Sequence, residues 1–117
     1  AMLNIKMTDD RQIIRFLSGG NQQKVLVAKT IADDPKVLIA MDPTRGIDVA
    51  SKEDIHRIIH ELSHAGLSVL VITSELDELM NMCDRILVMN SGRLVAEYER
   101  ENFNEAEILL KMHQLAE

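Results

Sequence analysis

The chain has 117 residues, of which 46% are apolar and 27% are charged, and its net charge at neutral pH is −6. This length limits it to one domain, and the acidic balance argues against nucleic-acid binding, which needs a basic surface. No apolar run approaches the ~20 residues of a membrane-spanning helix, so we expect no transmembrane segment and no secretory signal. Cys83 is the single cysteine, and we predict a buried structural thiol there.

The first predicted helix, about Gly20 to Asp33, begins within the octapeptide Leu-Ser-Gly-Gly-Asn-Gln-Gln-Lys at 17–24. Glycines at 19 and 20 allow a close ligand approach, and the N–H groups and positive dipole end of a helix favour an anion. Taken alone, the octapeptide fits two interpretations: a phosphate-binding helix start, or a glycine turn with a Ser or Asn N-cap. The predicted core side of this helix consists of Val25, Leu26, Ala28, Ile31 and Ala32.

Two apolar runs, at 37–41 and 69–73, predict parallel strands covered on both faces. The first run ends at Asp42 and the second at Ser74, and ligands gather at the carboxyl ends of such strands. A helix from about Ser51 to Gly66 links the two strands, and Asp54 three residues after Ser51 indicates a capping box. Its predicted apolar face consists of Ile55, Ile58, Ile59 and Leu62.

The C-terminal third predicts a short helix at 75–81, a hairpin and a last helix at about 104–115. The hairpin strands at 85–89 and 93–97 flank Asn90-Ser91-Gly92. The last helix has Ile108, Leu109 and Met112 as its apolar side. The predicted fold class is therefore α/β, with an incomplete, mainly parallel sheet, flanking helices and a C-terminal β-hairpin and helix.

Several side-chain groups have a structural explanation as well as a functional one. The histidines at 56, 60 and 64 recur every four residues, so they form either a solvated helix face or an adventitious transition-metal site. We predict no biological metal site. The methionines at 80, 82 and 89 are predicted to fill the core, and the acids at 75, 77 and 78 to form a favourable first helical turn.

Three segments in this order and spacing resemble the ATP-binding cassette (ABC) family. They are the octapeptide at 17–24, Asp-Pro-Thr-Arg-Gly-Ile-Asp-Val at 42–49, and Ser-Glu-Leu at 74–76. The resemblance runs from about Gln12 to Tyr98 and is strongest to the second of two fused cassettes in bacterial importers of ribose, galactose and arabinose. It implies a partial P-loop NTPase fold.

The family's phosphate loop, G-x-x-x-x-G-K-[ST], has no counterpart, because the glycines at 19, 20, 46, 66 and 92 cannot produce that spacing. We therefore expect residues 1–117 to form a single partial ABC ATP-binding domain, from the signature region to the C-terminus, that is inactive as an ATPase on its own. In the family, a further strand lies between those at 68–73 and 85–90. Its absence would leave a gap with unpaired strand edges, so we expect the chain to rearrange and close the gap, to form a homodimer or to form a swapped oligomer, and not to be a clean monomer.

The resemblance also implies that the catalytic positions are degenerate. Aligned on Pro43-Thr44, Met41 stands at the metal-coordinating Asp and Asp42 at the catalytic Glu. With a shift of one residue, Asp42 becomes the metal ligand and the base is absent. Ser74 stands where the family has a His, the switch His, that touches the γ-phosphate. Unlike His, Ser74 cannot carry a positive charge. Under either alignment one acid is lost.

The resemblance also implies a role for the Ser-Gly-Gly turn at 18–20, which is the signature turn of the family. This turn would act in trans, on ATP that is bound by another cassette. Another ABC cassette would hold ATP together with Mg²⁺, and Ser18, Gly19, Gly20 and Asn21 would close over the γ-phosphate of this ATP. Asp48 would couple the ATP sites of the two cassettes. The implied partners are that cassette and membrane permease subunits, which would place the protein in the cytoplasm at the inner face of the membrane. The alternative is a non-catalytic scaffold, an interaction remnant of a cassette.

Overall fold

The computed structural model describes residues 3–114, with the backbone alone at Phe16. The chain divides into two compact units between Thr73 and Ser74. The first unit contains a 3-10 helix at Ile14–Phe16, α1 at Gly19–Ile31, β1 at Val37–Met41, α2 at Val49–His64 and β2 at Ser68–Ile72. The second contains α3 at Leu76–Met82, β3 at Arg85–Asn90, β4 at Arg93–Glu99, a 3-10 helix at Arg100–Asn102 and α4 at Glu105–His113.

The first unit is a parallel strand pair with helices packed on it, as the sequence predicts. β1 pairs with β2 in a register that runs from Val37 opposite Ser68 to Met41 opposite Ile72. The predicted apolar face of α2 is buried at all four positions. Leu38, Ile58 and Leu62 form the core, and the residues packed around them include Val27, Ile31, Leu67 and Val69.

One face of this strand pair is open in the described part of the chain, in contrast to the prediction that both faces are covered. The exposed side chains are Val37, Ile39, Met41, Leu70 and Ile72. Register explains why they lie together, because alternate residues of paired parallel strands share a face.

Two details of the helices differ from the sequence prediction. Leu26 is 56% exposed, and its neighbour Val27 packs on the core instead. α2 begins at Val49, with Asp48 as its N-cap, so Ser51 lies inside the first turn. The capping box predicted for Ser51 and Asp54 is therefore wrong, because Asp48 precedes them and supplies the cap.

The second unit is a hairpin covered by two helices. The antiparallel strands β3 and β4 turn through Ser91 and Gly92, whose φ angles of 51° and 74° are those that a two-residue I′-type hairpin requires. Its buried core consists of Leu76, Ile86, Val88, Tyr98 and Ile108, with Met80, Cys83 and Met112 packed around it.

Some predicted core positions of this unit lie at the surface. Met89 is 66% exposed, so its assignment to the core is wrong, and Leu109 of the predicted apolar side is 37% exposed. Both errors arise because the neighbours Val88 and Ile108 are the residues that face the core. The predicted end of the last helix, Leu115, lies outside the described residues.

Candidate functional site

Ser18 is the N-cap of α1, and it lies at the surface with Gly19. Its Oγ accepts hydrogen bonds from the Asn21 backbone N, at 3.3 Å, and from Asn21 Nδ2, at 2.9 Å. A serine hydroxyl also carries a proton that it can donate. The cap therefore fixes the hydroxyl at the mouth of the helix N-terminus, where backbone N–H groups and the helix dipole favour an anion.

Asn21 is held by contacts within the first unit at both ends of its amide. Besides the bond from Nδ2 to Ser18, its Oδ1 accepts from the Lys6 backbone N at 3.0 Å. Gln22 adds a bond from Nε2 to the Leu17 carbonyl at 3.0 Å. The turn that precedes α1 is therefore tied to the helix by side chains of the signature segment itself.

The two glycines of the turn have different environments. Neither has a positive φ angle. A Cβ on Gly19 would lie 3.6 Å from Ile47 Cγ2, an ordinary contact, whereas a Cβ on the buried Gly20 would overlap the Ser51 side chain. Gly20 therefore allows α1 and α2 to approach closely, and Gly19 leaves the backbone at the helix start uncovered.

Asp48 lies at the start of α2, and Ser51 connects it with the signature turn. Asp48 Oδ1 accepts from the Ser51 backbone N at 2.9 Å, and Oδ2 accepts from Ser51 Oγ at 2.8 Å. The Ser51 backbone bond and then its hydroxyl bond lower the pKa of Asp48 below its ordinary value. Because Ser51 also contacts Gly20, the structure brings the predicted site residues Ser18, Gly20 and Asp48 into one neighbourhood.

An ion pair between Lys24 on α1 and Asp54 on α2 joins the same two helices. The Lys24 side chain is 6% exposed and that of Asp54 is 34% exposed. The hydrogen bond from Lys24 is the largest cause that lowers the pKa of Asp54. The sequence analysis did not predict this pair. Spacing could have indicated it, because Lys24 lies four residues after Gly20 and Asp54 lies three residues after Ser51, so that each shares a helix face with a residue of the Gly20–Ser51 contact.

Asp42 follows β1, where the sequence predicts it. Its backbone N donates to the Ile72 carbonyl at 2.7 Å, so the carboxyl ends of β1 and β2 meet at this residue. Asp42 has a φ of 45°, a left-handed conformation that Asp tolerates better than most residues. Its carboxylate lies 3.8 Å from the exposed guanidinium of Arg45.

The remaining predicted positions contribute no further cluster. Met41 is 70% exposed, and Ser74 is exposed in the second unit, two residues before α3. The rings of His60 and His64 lie 4.2 Å apart, and His64 Nδ1 is 3.0 Å from the His60 carbonyl oxygen. Between residues 3 and 114, no three His, Cys, Asp or Glu side chains are grouped as metal ligands. No helix of that range is both long and apolar enough to cross a bilayer.

Comparisons with curated protein sequences and with solved structures agree with each other. The chain is 46% identical over 110 residues to the ribose import ATP-binding protein RbsA 2 of Rhizobium meliloti, and 47% identical over 109 residues to the arabinose import ATP-binding protein AraG of Burkholderia pseudomallei. Its fold superposes on the dimeric bacterial ABC transporter cassette MJ0796 with a TM-score of 0.74 and 26% identity. The chain belongs to the ABC family. No family model matches it.

The match covers almost all of this chain but only part of its relatives. It includes 94% of the chain and 21% of RbsA 2, and 92% of the chain and 22% of AraG. In the comparison with MJ0796 it includes 87% of the chain and 44% of the cassette. The chain thus spans about a fifth of the length of the curated relatives it matches, and the predicted partial α/β cassette fold is confirmed.

Proposed function

We propose that this cassette segment belongs to the ATP-binding subunit of a carbohydrate importer and supplies its Ser-Gly-Gly turn to ATP held by another cassette. The observation that carries the proposal is the exposed N-terminus of the 13-residue helix α1, which is capped by Ser18 and uncovered at Gly19. The matched relatives are named as ribose and arabinose import proteins, which supports a sugar as the transported substrate.

The helix start suits a terminal phosphate for electrostatic reasons. The first-turn N–H groups have no partner within the helix, and their dipoles add to a positive end. Gly19 places no side chain over these groups. Ser18, Gly19, Gly20 and Asn21 would close over the γ-phosphate. Asp48 would be coupled to this turn through Ser51 and Gly20.

The chain's own catalytic positions support a role in trans. Met41 offers a thioether where Mg²⁺ prefers oxygen ligands. Asp42 provides one acid where the family has two, and Ser74 has no cationic form. ATP with Mg²⁺ would therefore be bound mainly by the partner cassette, and permease subunits would hold both cassettes at the inner face of the membrane.

The test places this segment in a complete transporter subunit. In R. meliloti RbsA 2, the 110 matching residues are replaced by those of this chain, and ATP hydrolysis is measured with the permease partners. Ser18→Arg places a long side chain over the N-terminus of α1, where the phosphate would bind, and is expected to abolish hydrolysis. Ser63→Arg is the matched control, since Ser63 is exposed near the end of α2.

Three results would contradict the proposal. The first concerns the exchange protein, which is RbsA 2 carrying the residues of this chain: it would contradict the proposal by folding and binding its permease without hydrolysing ATP. The second is full activity of the Ser18→Arg variant, which would leave the non-catalytic scaffold as the function. The third is an equal loss of ATP hydrolysis in Ser18→Arg and Ser63→Arg, which would assign the effect to folding rather than to the phosphate site at Ser18.

A further inference from the structure

We infer that Lys24 and Asp54 are positioning residues that hold the Ser-Gly-Gly turn and Asp48 as one rigid unit. The inference rests on the proposed function, because it concerns the site that would close over ATP. It is carried by the geometry of α1 against α2 and by the burial of the Lys24 ammonium group.

Burial of Lys24 points to a specific role for the pair. Lysine is almost never fully buried unless it is paired, because its ammonium group loses hydration. Here the Lys24 side chain is 6% exposed and its Nζ contacts Asp54 Oδ2. The other oxygen, Asp54 Oδ1, accepts from Arg57 Nη2 at 3.3 Å, which fixes the orientation of the carboxylate.

The ion pair is the second of two contacts along the same face of α1. Gly20 and Lys24 are four residues apart, so they lie one above the other on the helix. Gly20 meets Ser51, and Lys24 meets Asp54, three residues further along α2. The first contact sets the distance between the helices, and the second prevents one helix from sliding or rotating past the other.

These two contacts connect the functional ends of both helices. Ser18 caps α1 two residues before Gly20, and Asp48 caps α2 by accepting from the backbone N and the Oγ of Ser51. A shift of α1 along α2 would therefore move the Ser18 hydroxyl relative to Asp48. A misplacement of about 1 Å in a site of this kind costs on the order of 100-fold in rate.

The experiment uses the exchange protein described above, with the Lys24→Met and Asp54→Asn variants and their double variant. Lys24→Met keeps most of the side-chain volume and removes the charge, and Lys24→Arg is the conservative variant. Lys29→Met is the matched control, because Lys29 is exposed in the last turn of α1. KM for ATP and kcat are measured separately, and kcat is corrected for the folded fraction.

If the pair positions the turn, each single variant lowers kcat/KM for ATP about tenfold after this correction, which is part of the rate loss that a full 1 Å displacement produces. The double variant is then no worse than the single ones, because both remove the same interaction. Lys24→Arg retains most of kcat/KM, and Lys29→Met does not change it.

The inference is overturned if KM stays unchanged and kcat falls only with the folded fraction, since the pair would then act on stability alone. It is also overturned if the two single effects add in full. Failure of the proposed function is distinguishable from both results, because in that case Ser18→Arg itself leaves hydrolysis intact.

Discussion

The close approach of α1 and α2 makes Gly20→Ala a sensitive test of the packing. The added Cβ would overlap the side chain of Ser51, and the nearest atoms belong to the first turn of a helix, which cannot move aside freely. Overpacking of this kind costs about 1–3 kcal/mol. Replacing Gly by Ala in a helix returns up to about 1 kcal/mol. Because the new Cβ would overlap both Oγ and Cβ of Ser51, the cost lies in the upper half of the overpacking range, about 2–3 kcal/mol, and the expected net loss is about 1–2 kcal/mol.

The assay is thermal unfolding of the chain followed by circular dichroism. For a chain of this size, we expect the unfolding midpoint of Gly20→Ala to fall by roughly 5–10 °C. Gly19→Ala is the matched control, because its Cβ would meet only Ile47 Cγ2 at an ordinary 3.6 Å. That variant is expected to be as stable as the unchanged chain, or slightly more stable.

A second variant separates steric overlap from other causes. Ser51→Gly removes the atoms that the new Cβ would meet, so the Gly20→Ala/Ser51→Gly pair is expected to be less destabilised than the sum of its single changes. The reasoning is refuted if Gly20→Ala is as stable as Gly19→Ala, or if the two changes at 20 and 51 simply add.

Two further predictions concern helix ends. The folded-state pKa of Asp48 is lowered, so its cap stabilises the chain above the ordinary Asp value of about 3.9 and loses that effect as the pH falls below it. Asp48→Ala is therefore expected to lower the unfolding midpoint at pH 7 but not at pH 2, whereas an equal loss at both values would contradict this. Asn90 Nδ2 donates to the carbonyls of Lys111, Met112 and Gln114 at 3.3, 3.1 and 2.6 Å, and Asn90→Asp replaces that donor by an acceptor. Amide exchange in α4 should then accelerate more than in Asn90→Ala, with a loss of about 1 kcal/mol or more, and unchanged exchange would show that the amide does not cap the helix.

Local pattern was sufficient for the elements that depend on it. The apolar run at 37–41 is β1, residue for residue, and the four-residue apolar face of α2 is buried as its periodicity predicts. Glycine at 92 after Ser91 marked the hairpin turn. The order and spacing of the three motifs indicated the ABC family, which the comparisons confirm.

Tertiary structure decided which neighbour faces the core and which groups meet across the chain. The sequence pattern placed Leu26 on the core side of α1, whereas in the folded chain Leu26 is exposed and its neighbour Val27 packs against the core. The contacts of Gly20 with Ser51 and of Lys24 with Asp54 join residues about 30 positions apart. Sequence alone determined the helices, strands and motifs because these follow from neighbouring residues. Only the tertiary structure could show that the signature turn and Asp48 are connected through the contact between α1 and α2, since that contact depends on how two helix surfaces fit together.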